Sequence, residues 1–388
     1  MKKRLTSILK GDLFSISGAS FDWVFLITVI TLALYGTIMV FSAGYAYADF
    51  RYSDAYYFIK RQAVWLIMGI VMMLVFSSVN INTLMKLTIP MYIGTLLLLA
   101  LTLIIGFTGN GAQRWISIGP LTIQPSEICK LTMTMMLAKY FDLNENNTAK
   151  KKKRDIFFKD TVIPCVIMAI PILLVMLQHH LSCIIILGII GLLIIVISGV
   201  DLRYIGAFVL CGALGVSGLA LFTDYTKDRI TVWRDPESYK LTGGWQTLQG
   251  LMAIGSGGLF GKGLGKGELK YCYVSEPAND MIFAILCEEL GFVGALSVIL
   301  LFGFLIFRGF KIAHGAKNTY SRLLGSGIMI KIAVQTLLNI AVVTNTIPNT
   351  GISLPFFSYG GSSLVMIFME MGIILSISRT SGFRQRYL

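Results

Sequence analysis

The chain has 388 residues, of which 55% are hydrophobic and only 14% are charged, and its mean hydropathy is +0.74. This composition excludes a soluble globular protein of this size and predicts an integral membrane protein. A net charge of +13 would suit a nucleic-acid-binding protein, but the distribution of the charge argues against that function. The six cysteines form neither a CxxC motif nor a recognisable disulfide framework.

Apolar runs close to the ~20 residues that a membrane-spanning helix needs recur along the chain. We predict ten of them, and therefore an all-α integral membrane protein that forms a single polytopic domain over residues 1–388. The fourth run is the weakest because Glu127 and Lys130 interrupt it. The predicted spans are residues 22–42, 60–77, 87–107, 125–141, 161–178, 182–199, 204–222, 280–307, 322–343 and 358–378.

The first run follows a basic segment and is followed by the sequence AYA at residues 46–48, as the apolar region of a signal peptide is followed by its cleavage site. Its apolar core is too long for a signal peptide, so we interpret it as a retained span. Most lysines and arginines lie in alternate connecting segments, which predicts cytoplasmic tails at residues 1–21 and 379–388. The KKKKR run at 150–154 is then a topology signal, with contact to anionic lipids as the alternative.

In this topology residues 223–279 form a large extracellular loop between spans seven and eight. Loops of this length are uncommon unless they are functional or disordered. Its segment IGSGGLFGKGLGKG, residues 254–267, matches neither nucleotide-binding glycine motif. The glycines favour tight turns of a loop folded back onto the membrane. The basic residues here either contact an anionic substrate or are solvated surface charges; they are Arg229, Arg234, Lys262, Lys266 and Lys270.

Three carboxylates lie at the start of the eighth span. Asp280 is at a position typical of a helix N-cap. Glu288 lies about 12 Å deeper at ~1.5 Å per residue, which is farther than the roughly 5–9.5 Å between paired glycosidase carboxylates. An acid/base dyad within this helix is therefore not expected. Since charged groups in a span normally have a partner, Glu288 and Glu289 should pair with a cation, for which Lys331 is one candidate.

A second polar cluster occupies the segment GNGAQRWISIGPLTIQPSEICK, residues 109–130. Pro125 suits the first position of the fourth helix, which places Glu127 and Lys130 three residues apart on one face. Two interpretations are equally supported. One is a structural ion pair, and the other is an anion site formed with Arg114 at the positive end of the helix dipole.

The uncharged segment PNTGISLPFFSYGGSS, residues 348–363, is typical of a re-entrant or tightly packed turn. Such backbone at membrane depth must be buried in protein or line a cavity. His179 and His180 lie at a short turn without further candidate ligands nearby, so no metal site is predicted there.

Four stretches together resemble the SEDS family, which comprises the FtsW, RodA and SpoVE proteins. They follow in the family's order: GAQRW with QPSEICK, WRDPESYKLTGGWQTLQGLMAIGSGGLFGKGLGKG, ANDMIFAILCEELGFVG, and NTGISLPFFSYGGSS. The resemblance implies a peptidoglycan glycosyltransferase in the bacterial cytoplasmic membrane. Such an enzyme polymerises lipid II, an undecaprenyl-pyrophosphate-linked disaccharide peptide, at the outer face for division, sporulation or elongation, and it releases undecaprenyl pyrophosphate.

The resemblance also implies partners. They are lipid II, membrane lipids and a class B penicillin-binding protein that acts as transpeptidase, and they do not include nucleic acid. The sequence GNGAQRW favours the division and sporulation branch of FtsW and SpoVE over the elongation branch.

The resemblance implies that Asp280 is the catalytic residue and acts as a general base. It would take the proton of the GlcNAc 4-hydroxyl as that oxygen attacks the MurNAc anomeric carbon. Arg114, Lys130, Arg234 and Lys262 are candidates for stabilising the charge of the pyrophosphate. No metal ligand and no resident cofactor are expected, and a divalent cation at the pyrophosphate stays open. The expected substrate-binding residues are Arg114, Trp115, Gln124, Ser126, Glu127, Lys130, Arg234, Lys262, Glu288 and Ser358.

One segment departs from the family pattern. Many members carry QPDxGT where this chain has QHHLSC, residues 178–183, so no role of that acidic residue is transferred. Two other functions stay as alternatives: a lipid II flippase, with ionisable residues of the spans lining a headgroup path, and a noncatalytic scaffold for the penicillin-binding protein. A base at the outer end of a span, beside a large outer loop, favours chemistry outside the membrane.

Overall fold

The computed structural model describes residues 22–109, 112–118, 121–144, 157–200, 206 and 224–380. The predicted N-terminal tail, the KKKKR run and all but one residue of the seventh predicted span, 204–222, lie outside the described residues.

Every other predicted span is a helix. A π-helical turn, Phe157–Val162, leads into the fifth of them, and two further helices lie in the segment before the eighth span. The helices are α1 (Trp23–Tyr52), α2 (Tyr57–Ser78), α3 (Ile81–Ile105), α4 (Pro125–Asn144), α5 (Ile163–Leu177), α6 (Leu181–Ile197), α7 (Asp224–Arg234), α8 (Gly244–Ser256), α9 (Ile282–His314), α10 (Thr319–Val343) and α11 (Gly361–Thr380).

Among the described residues, seven helical segments are long and apolar enough to cross a membrane, which defines a multi-pass membrane protein. The apolar helix α6 is shorter, and α4 is too polar to be recognised by hydropathy. Helix α4 is nevertheless buried along most of its length, because it packs against α3, α5, α6 and α10. Its polar side chains therefore face protein rather than lipid, as the interior helix of a bundle allows.

The all-α fold class is confirmed for the described residues, with one local exception between α3 and α4 that the sequence did not predict. A three-stranded antiparallel sheet forms there from β1 (Phe107–Gly109), β2 (Ala112–Ile118) and β3 (Leu121–Ile123). Strand β2 includes Trp115 and two isoleucines, a composition that suits a strand better than a helix. The sheet places Arg114 and Trp115 close to the start of α4.

Residues 257–267, which we name the glycine loop, fold back against an interruption of α9. At Gly291 the backbone leaves the helical conformation, with φ 65° and ψ −163°. The polar backbone groups freed by this break are satisfied by the glycine loop, as buried backbone requires. The donor and acceptor pairs are Lys262 N to Glu288 O at 3.0 Å, Gly263 N to Glu289 O at 2.9 Å, Phe292 N to Gly258 O at 2.9 Å and Val293 N to Leu259 O at 3.1 Å.

Candidate functional site

Asp280 lies two residues before α9 but does not cap it. The N-cap position belongs to Met281, which provides no side-chain hydrogen bond, so the N-cap interpretation of Asp280 is wrong. The backbone carbonyl of Asp280 instead accepts a hydrogen bond of 2.9 Å from Nδ2 of Asn339 on α10. The same nitrogen donates to the carbonyl of Ile352 at 2.7 Å. Asn339 therefore fastens the residue to both α10 and the segment that follows it.

The carboxyl group of Asp280 faces the turn at residues 348–351. A Cβ added to Gly351 would lie 3.4 Å from Asp280 Oδ2, and Gly351 has a φ of +66°. The Asp280 residue is partly buried, and the loss of hydration raises its pKa to about 6; Glu276 adds to the rise and Arg229 opposes it. A carboxyl group with a pKa near the working pH suits general acid–base catalysis.

Arg229 approaches the same turn from α7. Its Nη1 donates a hydrogen bond to the carbonyl of Asn349, whose own Nδ2 donates to Oε1 of Gln246 on α8 at 3.1 Å. Helix α7 is held a second time where Nε1 of Trp233 donates to the carbonyl of Asn345 at 3.0 Å. The two helices of the segment before α9 are thus attached to the turn that borders Asp280.

A second cluster is a buried network of four ions on three helices. Nζ of Lys130 lies 2.6 Å from Glu127 Oε1, which confirms the ion pair predicted within α4. Lys331 on α10 lies 2.7 Å from Glu370 Oε1 on α11 and 3.7 Å from Glu127 Oε2. Lys331 is therefore not the partner of Glu288 or Glu289, and that expectation is wrong. Two lysines and two glutamates compensate each other's charge here, as burial demands.

The two sites are joined along one face of α10. Lys331, Gln335 and Asn339 are all buried and follow at four-residue intervals, so they share a face that extends about 12 Å at ~1.5 Å per residue. Several buried oxygens along it have no hydrogen-bond partner within the described residues: Glu127 Oε2, Gln335 Oε1, Asn339 Oδ1 and Glu370 Oε2. A buried polar seam therefore leads from Asp280 into the bundle.

Glu288 and Glu289 pair with lysines close to them in the chain. Glu288 Oε1 lies 3.0 Å from Nζ of Lys262 and accepts a hydrogen bond of 2.9 Å from the backbone N–H of Glu268. Glu289 Oε1 lies 2.7 Å from Nζ of Lys270. The prediction that both glutamates have cationic partners is confirmed. The partners do not come from another span: Lys262 lies in the glycine loop and Lys270 follows it in the chain.

The structure divides the residues expected to bind substrate into separate groups. Ser358 lies beside Asp280, because its Oγ donates to the carbonyl of Asn279 at 2.8 Å. Lys262 of the glycine loop is paired with Glu288 of α9, and Arg234 is exposed at the end of α7. The remaining residues lie at the start of α4 or in the strands before it: Arg114, Trp115, Gln124, Ser126, Glu127 and Lys130.

The group at the start of α4 reaches the turn before α6. Nη2 of Arg114 donates to the carbonyl of His179 at 2.7 Å, and Oγ of Ser126 lies 3.5 Å from Nδ1 of His180. Ser182, two residues further on, donates from Oγ to the carbonyl of Thr350 in the turn beside Asp280. The segment QHHLSC therefore connects the α4 group to the Asp280 site.

The sequence-based set omitted Arg229, Asn339, Lys270 and Glu370. Arg229 was recognised as one of five basic residues of the loop, but only the fold distinguishes it from the other four. Asn339 and Glu370 lie within apolar runs, where a single polar residue is a usable signal of an inward-facing position.

Residues 22–382 match the model of the FtsW, RodA and SpoVE family, described as a cell cycle protein. Stage V sporulation protein E of Bacillus subtilis is 39% identical over 92% of this chain and 97% of its own length. A probable peptidoglycan glycosyltransferase FtsW of Geobacter sulfurreducens is 33% identical over 92% of this chain and 95% of that protein. This chain therefore belongs to the FtsW, RodA and SpoVE family, as its motifs predicted.

Solved structures agree with this family. A chain from a study of how a peptidoglycan synthase complex coordinates polymerisation and crosslinking superimposes with a TM-score of 0.77 at 26% identity, over 95% of this chain and 98% of that one. The rod shape determining protein RodA of Thermus thermophilus gives a TM-score of 0.68, also at 26% identity, over 95% and 98% of the two chains.

Proposed function

We propose that this protein is a peptidoglycan glycosyltransferase that polymerises lipid II into glycan strands, with Asp280 as its general base. The observation that carries the assignment of the base is the partly buried carboxyl group of Asp280, whose pKa is raised to about 6 beside an arginine and a conformationally restricted turn. Family membership and the names of the related glycosyltransferases support the reaction.

In the proposed reaction Asp280 takes the proton of the GlcNAc 4-hydroxyl of one lipid II. The oxygen forms a bond to the MurNAc anomeric carbon of another chain, and the bond from that carbon to the pyrophosphate breaks. The leaving undecaprenyl pyrophosphate needs charge stabilisation more than protonation. Arg229 is better placed for this role than the four basic residues expected from the sequence, because it contacts the turn that borders Asp280.

The other four basic residues have different surroundings. Lys130 and Lys262 are held in ion pairs, Arg114 is bonded to a backbone carbonyl, and Arg234 is exposed. We keep them, with Trp115, Gln124, Ser126, Glu127, Glu288 and Ser358, as proposed contacts of the substrate away from the reacting atoms. No resident metal is proposed; a divalent cation that takes part would arrive bound to the diphosphate of the substrate.

The charge distribution supports a topology with ten spans, in which residues 204–222 form the seventh, both tails are cytoplasmic and residues 223–279 are extracellular. Asp280 then lies at the outer face of the bacterial cytoplasmic membrane. A class B penicillin-binding protein is the proposed partner, which agrees with the similarity to a chain studied in a synthase complex that couples polymerisation to crosslinking.

The test uses the purified protein with its transpeptidase partner and lipid II. The variant Asp280→Asn should make no glycan strands, whereas the matched control Glu237→Gln, which alters an exposed acid of the same loop, should match the wild type. Equal strand synthesis by wild type and Asp280→Asn would disprove the assignment of the base. A wild type that makes no strands but moves lipid II across vesicle membranes would support the flippase alternative.

A further inference from the structure

The glycine loop and the first segment of α9, residues 282–290, interlock so closely that they must behave as one body. A Cβ added to Gly291 would lie 2.3 Å from the backbone nitrogen of Gly261, and one added to Gly257 would lie 1.9 Å from the carbonyl oxygen of Cys287. Neither position has room for a side chain. Together with the backbone hydrogen bonds across the break, these contacts fix the glycine loop to this segment.

A buried triad of Lys270, Glu289 and Ser42 closes this body against α1. Nζ of Lys270 lies 2.7 Å from Glu289 Oε1, while Oγ of Ser42 donates to Glu289 Oε2 at 2.5 Å. Nζ of Lys270 also donates to Oγ of Ser42 at 3.3 Å and to the carbonyl of Gly265 at 2.8 Å. The exposed fractions are only 2% for Lys270, 0% for Glu289 and 6% for Ser42, so every charged atom of the triad is buried and bonded.

Asp280 lies midway along the chain between the two ions of this triad, about ten residues from each. One limb is the segment 271–279, anchored where Nε1 of Trp245 donates to the carbonyl of Tyr273 at 2.7 Å. The other limb is the first segment of α9. Because the ion pair joins the far ends of both limbs, Asp280 lies at the apex of a closed loop of chain, and its carbonyl is held separately by Asn339.

A role in folding alone does not explain why the triad is ionic. Replacing both members of a buried ion pair by apolar residues is often neutral for stability, because burial of the charges costs about as much as their attraction gains. What an ion pair adds is one defined geometry, since its hydrogen bonds are directional.

We propose that Lys270, Glu289 and Ser42 are positioning residues for the polymerase reaction, which set the location of Asp280 relative to the bound acceptor sugar. This inference rests on the proposed function of Asp280 as the base. Displacement of a catalytic group by about 1 Å can lower a rate about a hundredfold. Since the triad holds the base and does not contact the substrate in this proposal, its loss should lower kcat and leave substrate affinity nearly unchanged.

The experiment measures kcat and KM for lipid II, with the thermal unfolding temperature of the same preparations. In Lys270→Met/Glu289→Gln no unpaired charge is left, so this double variant should fold, while its kcat should fall roughly ten- to a hundredfold with a KM within about threefold of wild type. The single variant Lys270→Arg keeps the positive charge and should retain most of the kcat of the wild type. Ser42→Ala removes only a hydroxyl group and should lower kcat severalfold.

Lys60→Met removes an exposed ion pair with Asp54 and serves as the control, with unchanged kcat and KM. A double variant with the kcat of the wild type, or with a loss confined to KM or to thermal stability, would overturn the positioning role. Asp280→Asn is measured in parallel to separate the two proposals. If it is inactive while the double variant keeps full kcat, only the positioning role fails; if it is fully active, the base assignment fails and the positioning role with it.

Discussion

Glu370 on α11 accepts a hydrogen bond of 2.7 Å from Nζ of Lys331 on α10 at a point where both side chains are buried. Removing one partner leaves an uncompensated buried charge, which costs about 3–5 kcal/mol, whereas removing both costs much less. We therefore expect Lys331→Met to lower the thermal unfolding temperature strongly in detergent and Lys331→Met/Glu370→Gln to recover most of the loss. The coupling of these two ions would be contradicted if Lys331→Met unfolded at the temperature of the wild type. It would also be contradicted if the double variant were no more stable than Lys331→Met.

The pH dependence of polymerisation should report the ionisation of Asp280. Its pKa is about 6, and only the carboxylate can accept a proton, so kcat/KM should rise with pH through about 6 and level off above it. The measurement is the initial rate of strand synthesis from lipid II between about pH 4.5 and 8. A rate that stays level down to about pH 4.5 would show that the pKa of Asp280 in the working enzyme is closer to its ordinary value of 3.8 than to 6.

Folding stability should respond to Asp280 in the opposite sense. The folded-state pKa of about 6 exceeds the ordinary value of 3.8, so the folded protein binds this proton more tightly, and ionising Asp280 costs stability as the pH rises between these values. Asp280→Asn removes that cost and should stabilise the protein at pH 7.5 by on the order of 1–3 kcal/mol. Thermal unfolding at pH 7.5 and at about pH 4 tests this, because the gain should disappear at the lower pH.

Arg229 should matter more for turnover than other cations of its helix. Arg229→Ala removes the charge proposed to stabilise the leaving pyrophosphate and one contact of the turn at Asn349, so strand synthesis should fall roughly ten- to a hundredfold. Lys227→Ala alters an exposed residue of the same helix and should stay within about twofold of wild type. Similar rates for the two variants would remove Arg229 from the proposed mechanism.

Two glycines of α9 should differ sharply when replaced by alanine. Gly291 has a φ of +65° and no room for a Cβ, whereas Gly303 has no atom within 4 Å of an added Cβ. Gly291→Ala should therefore lose several kcal/mol or fail to fold, and Gly303→Ala should gain up to about 1 kcal/mol from the higher helix propensity of alanine. The yield of monodisperse protein and its unfolding temperature distinguish these outcomes.

Hydropathy was sufficient to locate the apolar helices but not their limits. Helix α1 continues for ten residues beyond the predicted end at residue 42, to Tyr52, because a helix does not have to stop where its sequence becomes less apolar. The sheet between α3 and α4 was missed for a related reason. A stretch of only seven residues of mixed polarity carries little weight in a pattern dominated by period 3.6.

Spacing within a helix could be read reliably, whereas contacts between distant segments could not. The pair Glu127–Lys130 follows from a three-residue interval, and the separation of Asp280 from Glu288 follows from helical rise. The partners of Glu288 and Glu289 depended instead on a loop that folds back and on a glycine that breaks the helix. Nothing in the composition of the eighth span distinguishes Lys262, Lys270 and Lys331 as partners, since each is a plausible cation in sequence.

The interruption at Gly291 also constrains the order in which segments of the chain assemble. The glycine loop is synthesised before residues 288–293, yet its backbone hydrogen bonds are completed only by them. Its exposed side chains include Leu259 at 65% and Phe260 at 80%, which are unfavourable in water. Because its hydrogen bonds need residues 288–293, the loop can dock beside α9 only after those residues have been made, so the Asp280 site is assembled at a late step of folding.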